Sequence, residues 1–584
     1  MRSARDLRPA PRAALRVNGV HKTFRDKHRE THALQGASLI ARSGNITGLI
    51  GPDGAGKTTL MRIISGLLRP DRGEVKVLGI DAVADPLKVQ GQIGYMPQRF
   101  GLYEDLSVRE NLDLYADLHS VPASVRPARY DELLHMTGLA PFTARLAGRL
   151  SGGMKQKLGL ACTLVQPPRL LLLDEPTVGV DPVSRRELWQ IIERLVGEQD
   201  MSVLLATAYL DEAERCTEVV LLHEGRLLGQ GAPEHFTEGL EARVWYAERP
   251  SDSRRRLLTE LQERPEVLDA IIDRDGVRTI LDTASAPPAL AGTTWQPLRP
   301  SFEDAFVERL SHSVKSGTKH RPPPKDSGRH SHATVISAHG LTRRFGDFYA
   351  VRGVDFEVHR GEIFGLLGAN GAGKSTTFRM LCGLLPPSDG ALSVAGVDLR
   401  KAASAARARI GYMAQKFSLY GHLSVMQNLH FFSRSYGLRG ARQRERIDWA
   451  LQDFRLSSLG SSSANELPLG YKQRLAMACA LMHEPDILFL DEPTSGIDPL
   501  ERRAFWTRIN ALAASGVTIM VTTHFMEEAE YCDHLVIMAQ GRILTTGTPQ
   551  EVRAHSHIRK HLRPSMEDAF IKLTQSAEKH PDAP

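Results

Sequence analysis

Two lysines, each closing a short glycine-rich run, are the residues best equipped for chemistry. Lys57 ends the run Gly51, Pro52, Asp53, Gly54, Ala55 and Gly56, and is followed by Thr58 and Thr59. Lys374 ends Gly368, Ala369, Asn370, Gly371, Ala372 and Gly373, and is followed by Ser375 and Thr376. Glycines at this spacing let backbone N–H groups wrap phosphates at a helix N-terminus. The lysine then reaches the β/γ-phosphates, and the Thr58 or Ser375 hydroxyl ligates Mg²⁺. Asp174 and Asp491 end the apolar runs "LLLLDEP" and "ILFLDEP", where a carboxylate is costly unless it serves the cation. Glu175 and Glu492 come next, placed to polarise an attacking water. The alternative use of one such pair is an acidic N-cap before a helix.

These groups need a scaffold, and the chain supplies it twice. Lys57 and Lys374, Gln98 and Gln415, and Asp174 and Asp491 each lie 317 residues apart. A constant displacement over this distance means two copies of one domain. Each copy has an α/β rhythm, with short apolar runs such as "ITGLIG" and "IFGLLG" before the glycine loops. Such runs fit buried parallel strands. The expected order is a first α/β domain over 13–240, a small α+β module over 241–311, a basic Pro-rich linker over 312–334, a second α/β domain over 335–555 and a tail over 556–584. A third repeat closes each half: "RPSFEDAF" from 299 and "RPSMEDAF" from 563.

Composition narrows the class. The 584 residues are 42% hydrophobic and 24% charged, with a formal charge of +6, which is ordinary for globular domains. The basic excess lies largely in the N-terminal stretch and the linker, so no nucleic-acid partner is expected. No run approaches the roughly 20 apolar residues of a membrane helix. The five cysteines show no CxxC spacing and read as small buried residues in a reducing compartment.

The ordered set of phosphate loop, Gln98 or Gln415, "LSGGMKQ", "DEP", a "VGVDP" or "SGIDP" turn and "TTHFMEEA" resembles the nucleotide-binding domain of ABC ATPases. The resemblance covers about 13–240 and 335–555. It implies that two such domains, each a P-loop α/β unit, meet head to tail and bind ATP and Mg²⁺. Each ATP then lies between one copy's phosphate loop and the other copy's signature. It assigns Ser151, Gly152, Gly153 and Gln156 to the γ-phosphate as signature residues. Gln98 and Gln415 fall to Mg²⁺ and to sensing of a transporter subunit, and Asp181 and Asp498 to communication across the interface. His524 falls to the γ-phosphate, and Phe24 and Phe345 to stacking on adenine, the lesser alternative for either ring being core at the end of a strand. The second copy departs at the signature, reading "LPLGYKQ" with Pro468 and Leu469 in place of Ser151 and Gly152. The first departs at Ala208, where His524 stands in the second. Both losses fall on the site built around Lys57.

The resemblance extends to role. The "EDAF" endings are similar to C-terminal extensions of bacterial drug-exporter ATPases. That implies an ATPase powering drug or small-molecule efflux through two separate permease subunits, which handle the substrate. The chain would sit peripherally on the cytoplasmic face of the inner membrane. Phe100, Leu102 and Tyr103, with Phe417, Leu419 and Tyr420, could form a socket for the permease or could be core. A ribosome-associated tandem ATPase and a tandem sugar-importer ATPase are the rival readings.

Overall fold

The computed structural model describes residues 13–26, 29–98, 101–249, 254–311, 333–399, 406–415, 419–556, 558 and 564–579. Phe100, Phe417 and nearly all of the expected linker lie outside these residues.

In the first copy a six-stranded sheet runs in the order Arg226–Gly231, Glu218–His223, Ile46–Ile50, Ser202–Thr207, Leu170–Asp174, Ile93–Met96. All but the first of these strands pair in parallel. Ile46–Ile50, Leu170–Asp174 and Ser202–Thr207 are buried along their whole length, which explains their uninterrupted apolar sequence. The second copy repeats the order with Arg542–Gly547, His534–Ala539, Ile363–Gly368, Thr518–Thr523, Ile487–Asp491 and Ile410–Met413. Each copy also carries a four-stranded antiparallel sheet, whose long strands are Ala13–Asp26 with Arg29–Arg42 and Thr334–Phe345 with Phe348–His359. In both copies the strand before the glycine loop is central, so the loop emerges at the carboxyl edge of a parallel sheet. That is where ligands bind in open α/β folds.

A third sheet pairs Val267–Asp273, Gly276–Leu281, Val244–Glu248 and Thr294–Pro297 in that order, all antiparallel. The helix Arg254–Gln262 seals one face by burying Leu257, Leu258 and Leu261 against Ala247, Ala270, Ile272 and Val277. The chain divides into two compact units, residues 1–180, 184–239 and 300–306 in one and 181–183, 240–299 and 307–584 in the other. The third sheet therefore belongs to the same unit as the second copy. Arg255 pairs with Asp533 and Arg503 with Asp269, and Arg553 reaches Asp275 at 2.7 Å. In the first unit Phe302, opening the helix of "RPSFEDAF", donates its N–H to Glu214 and meets the Phe236 ring edge-on at 5.2 Å. Among the described residues no helix is long and apolar enough to cross a membrane.

A candidate nucleotide site in each copy

The phosphate loops fold as their glycines require. Gly56 and Gly373 cap the helices Lys57–Ile64 and Lys374–Leu381 with φ of 106° and 103°, a left-handed geometry that side chains rarely adopt. A Cβ at Gly51 would lie 2.1 Å from the Leu222 carbonyl oxygen, so the loop cannot carry one there. Asp53, Gly54, Asn370 and Gly371 form the loop crowns, and Thr58, Thr59, Ser375 and Thr376 the first helical turns. The opening N–H groups of these helices have no intrahelical acceptor and favour an anion. Both lysines are 5% exposed. Lys57 Nζ donates to Gly51 O at 2.7 Å and Pro52 O at 3.2 Å, and Lys374 Nζ to Gly368 O at 2.7 Å and Ala369 O at 3.1 Å. Burial pulls the Lys374 ammonium below the ordinary lysine range, against the opposing pull of Glu492 and Asp491.

The carboxylates sit beside these lysines but are held differently in the two copies. Asp174 accepts from the Thr58 hydroxyl at 3.2 Å and the Tyr95 hydroxyl at 3.4 Å. Burial first, and the neighbouring Glu175 charge after it, lift Asp174 to about 6. Asp491 is also raised by burial and accepts from the Thr522 hydroxyl at 2.6 Å. The strand register sets this contrast, because Asp491 pairs with Thr522 and Asp174 with Ala206. Glu175 and Glu492 adopt φ of 54° and 46°, a strained region for such residues and one frequent at functional sites.

Glu175 accepts from Gln98 Nε2 at 2.5 Å and lies 3.5 Å from Lys57 Nζ. Glu492 accepts from Gln415 Nε2 at 2.6 Å and lies 3.3 Å from His524 Nδ1. Burial pushes the Glu492 carboxyl up, but His524, Lys374 and Gln415 together outweigh it and leave it below the usual value. The other His524 nitrogen, Nε2, is buried with no partner among the described residues. An unpaired buried imidazole nitrogen is costly, and when it carries a proton it would donate to a phosphate oxygen. The first copy has a buried Ala208 at this position. Hydroxyl and carboxylate oxygens beside each lysine (Thr58 with Asp174, Ser375 with Asp491) suit a hard cation that keeps one or two protein ligands and substrate phosphates. The residues present fit Mg²⁺ and a nucleoside triphosphate.

The signature residues stand on separate helices. Ser151 caps the helix Gly152–Thr163 by accepting from Met154 N at 3.3 Å. Pro468 occupies the same place before Leu469–Ala480 and makes no side-chain cap bond. Gln156 is buried, as is its counterpart Gln473. Among the described residues no hydrogen bond joins Ser151, Gly152, Gly153 or Gln156 to the phosphate loop of their own copy. Asp498 caps the helix Pro499–Ala514 by accepting from Leu500 N and Glu501 N, both at 3.0 Å. Phe24 and Phe345 are 45% and 47% exposed, with Lys22 and Arg343 over their rings, so neither is a core residue. Sequence reasoning passed over Tyr95 and Thr522. The signal available for Thr522 was the contrast between "TTH" at 522–524 and "ATA" at 206–208.

A glycine loop on a central parallel strand, a buried lysine and a strand-end Asp–Glu pair together define a P-loop ATPase, here present twice. The chain belongs to the ABC transporter family, whose profile matches residues 34–178 and 351–495. It is 51% identical over 580 residues to the probable multidrug ABC transporter ATP-binding protein YbhF of Escherichia coli (strain K12), covering 97% of this chain and 99% of that one. The Nod factor export ATP-binding protein I of Ralstonia nicotianae is 42% identical over 222 residues, 38% of this chain and 69% of that one. A solved ATP-binding subunit of an ABC transporter is 33% identical, covers 41% of this chain and 99% of its own, and superposes with a TM-score of 0.38.

Proposed function

We propose that this chain is the ATP-hydrolysing subunit of an exporter of drugs or other small molecules, with separate membrane permeases and unequal nucleotide sites. The export reading rests on the names of the relatives, one a multidrug transporter subunit and one an export subunit. Two permease subunits would receive the motion, and the chain would lie peripherally on the cytoplasmic face of the membrane. On the resemblance to ABC ATPases the two copies would pair head to tail, Lys57 with Pro468 and Leu469, and Lys374 with Ser151, Gly152 and Gly153.

The observation that carries the asymmetry is the Glu492–His524 pair against Glu175 and Ala208. Glu492 is kept ionised and hydrogen-bonded, ready to orient a water, while His524 Nε2 is free for the γ-phosphate. Mg²⁺, when bound, would neutralise charge developing on the phosphates. The Lys57 site lacks the imidazole and faces a signature whose proline removes both a hydroxyl and a backbone donor. Each lost donor to a phosphate costs on the order of 1.5–3 kcal/mol, and roughly tenfold in rate accompanies each 1.4 kcal/mol. The Lys57 site keeps its lysine, Thr58 and Asp174, which supports ATP binding with slow turnover. Glu492→Gln is expected to abolish steady-state ATPase activity, while Glu175→Gln retains most of it. Equal losses in the two variants would overturn the asymmetry. Co-purification with ribosomes in place of membrane permeases would overturn the transport role.

A further inference from the structure

The geometry points to Thr522 as a positioning residue for ATP hydrolysis, its hydroxyl fixing the Asp491–Glu492 pair in the second copy. This rests on the reading of Glu492 as the group that orients the attacking water. Thr522 is fully buried, and its Oγ1 bonds in two directions. It donates to Asp491 Oδ1 at 2.6 Å and accepts from the Glu492 backbone N–H at 2.9 Å. The same N–H reaches the Thr522 carbonyl oxygen at 3.0 Å. One side chain therefore pins both ends of the residue pair that joins the cation ligand to the water-orienting carboxylate.

Glu492 and Glu175 both hold a left-handed φ, 46° and 54°, and both N–H groups reach the facing strand's carbonyl oxygen, but only Glu492 N–H also has a hydroxyl acceptor. The strand pairing that puts Thr522 opposite Asp491 aims the hydroxyl at this peptide. In the first copy the opposite residue is Ala206. There the Glu175 N–H has the Ala206 carbonyl at 2.8 Å, and Asp174 takes its hydroxyl partners from Thr58 and Tyr95. Thr58 thus donates its hydroxyl proton to Asp174, its lone pairs remaining for a cation, whereas Asp491 takes its hydroxyl proton from Thr522. The first copy has lost Thr522 and His524 equivalents from one strand end, so positioning and phosphate contact disappear together.

Thr522→Val keeps the shape and removes only the hydroxyl, and Thr522→Ser keeps the hydroxyl and removes only a methyl. A bond of this kind to a carboxylate supports a decrease of about 10- to 100-fold in kcat for Thr522→Val. KM for ATP and the affinity for a fluorescent ATP analogue should stay within about threefold, and Thr522→Ser should recover most of the lost kcat. Loss of analogue binding in parallel with kcat, or equal damage from serine and valine, would show a packing role and overturn the proposal. So would a valine variant within twofold of wild-type turnover. Glu492→Gln, assayed alongside, separates the two ideas: if it retains activity, the reading of Glu492 fails; if it is inactive while Thr522→Val is normal, only the role of Thr522 fails.

Discussion

His524 Nδ1 lies 3.3 Å from Glu492 Oε2, and the first copy answers this imidazole with the methyl group of Ala208. The contrast is sharpened by Glu175, which lies 3.5 Å from Lys57. Removing one preorganised donor typically costs about 10²–10³ in kcat, so His524→Ala should lower turnover by that order with little change in ATP binding. In a Glu492→Gln background, the triple change Ala208→His, Pro468→Ser and Leu469→Gly should raise residual ATPase activity at least about tenfold. Single members of the triple should not. Rescue by Ala208→His alone would mean that Pro468 and Leu469 do not limit turnover at Lys57.

Gly153 and Gly470 occupy equivalent places but not equivalent spaces. A Cβ on Gly153 would lie 2.4 Å from Ser184 Oγ and 2.5 Å from its Cβ, whereas one on Gly470 would meet only the Glu501 side chain, at 3.3 Å. Gly153→Ala must therefore push the signature helix away from the helix Pro182–Gln199. Overpacking of this kind costs about 1–3 kcal/mol, and the displacement should also depress ATPase activity. Gly470→Ala should be close to neutral in both. Thermal unfolding and steady-state ATPase assays on the two variants check the contrast.

How far the sequence discloses the site depends on how its parts are encoded. The phosphate loops and the strand-end carboxylates need particular residue types at fixed spacing, so Lys57, Lys374, Asp174 and Asp491 stand out in the linear chain. The Thr522 hydroxyl bond depends on which strand lies beside Leu 490 and Asp491, a register no local pattern states. Likewise, Arg255, Arg503 and Arg553 look like ordinary surface cations, yet they tie the third sheet to the second copy. Position in the chain placed that sheet after the first copy. Charge pairs between residues hundreds of positions apart, with Tyr531 packed on the sheet's apolar core, join it to the second copy.

Arg553 stands at that junction, reaching Asp275 of the third sheet and pairing with the buried Glu530 of its own copy. Its guanidinium makes two bonds to Glu530, and both side chains are under a tenth exposed, while Arg254 reaches the same carboxylate at 3.6 Å. Burial raises the Glu530 carboxyl, and Arg553 is the main opposing influence. Arg553→Ala takes from the buried Glu530 its main partner and leaves it the more distant Arg254, and breaking a buried pair typically costs about 3–5 kcal/mol. The double change Arg553→Met and Glu530→Gln removes both charges and should recover much of that loss. Denaturant midpoints for the second unit's transition should fall in the single variant and return in the double. Equal midpoints in wild type and Arg553→Ala would mean that the pair is solvated in solution.

His483 should make the second copy sensitive to acid. Its ring stacks on Tyr436 with centroids 3.7 Å apart, and Nε2–H donates to the Ile410 carbonyl oxygen at 3.0 Å. Burial pulls its pKa down from 6.5 to about 4, with the Arg446 charge adding to the shift and the Ile410 bond opposing it. Between these values the unfolded chain binds a proton that the folded chain refuses, so stability falls as pH drops from 6.5 and levels off below 4. At pH 5 the loss is on the order of 2 kcal/mol from this group. His483→Gln preserves an N–H donor and does not titrate. Its denaturant midpoint should therefore fall less than the wild type's between pH 7.5 and pH 5, by an amount matching that energy. Identical pH slopes for the two proteins would place the acid sensitivity elsewhere.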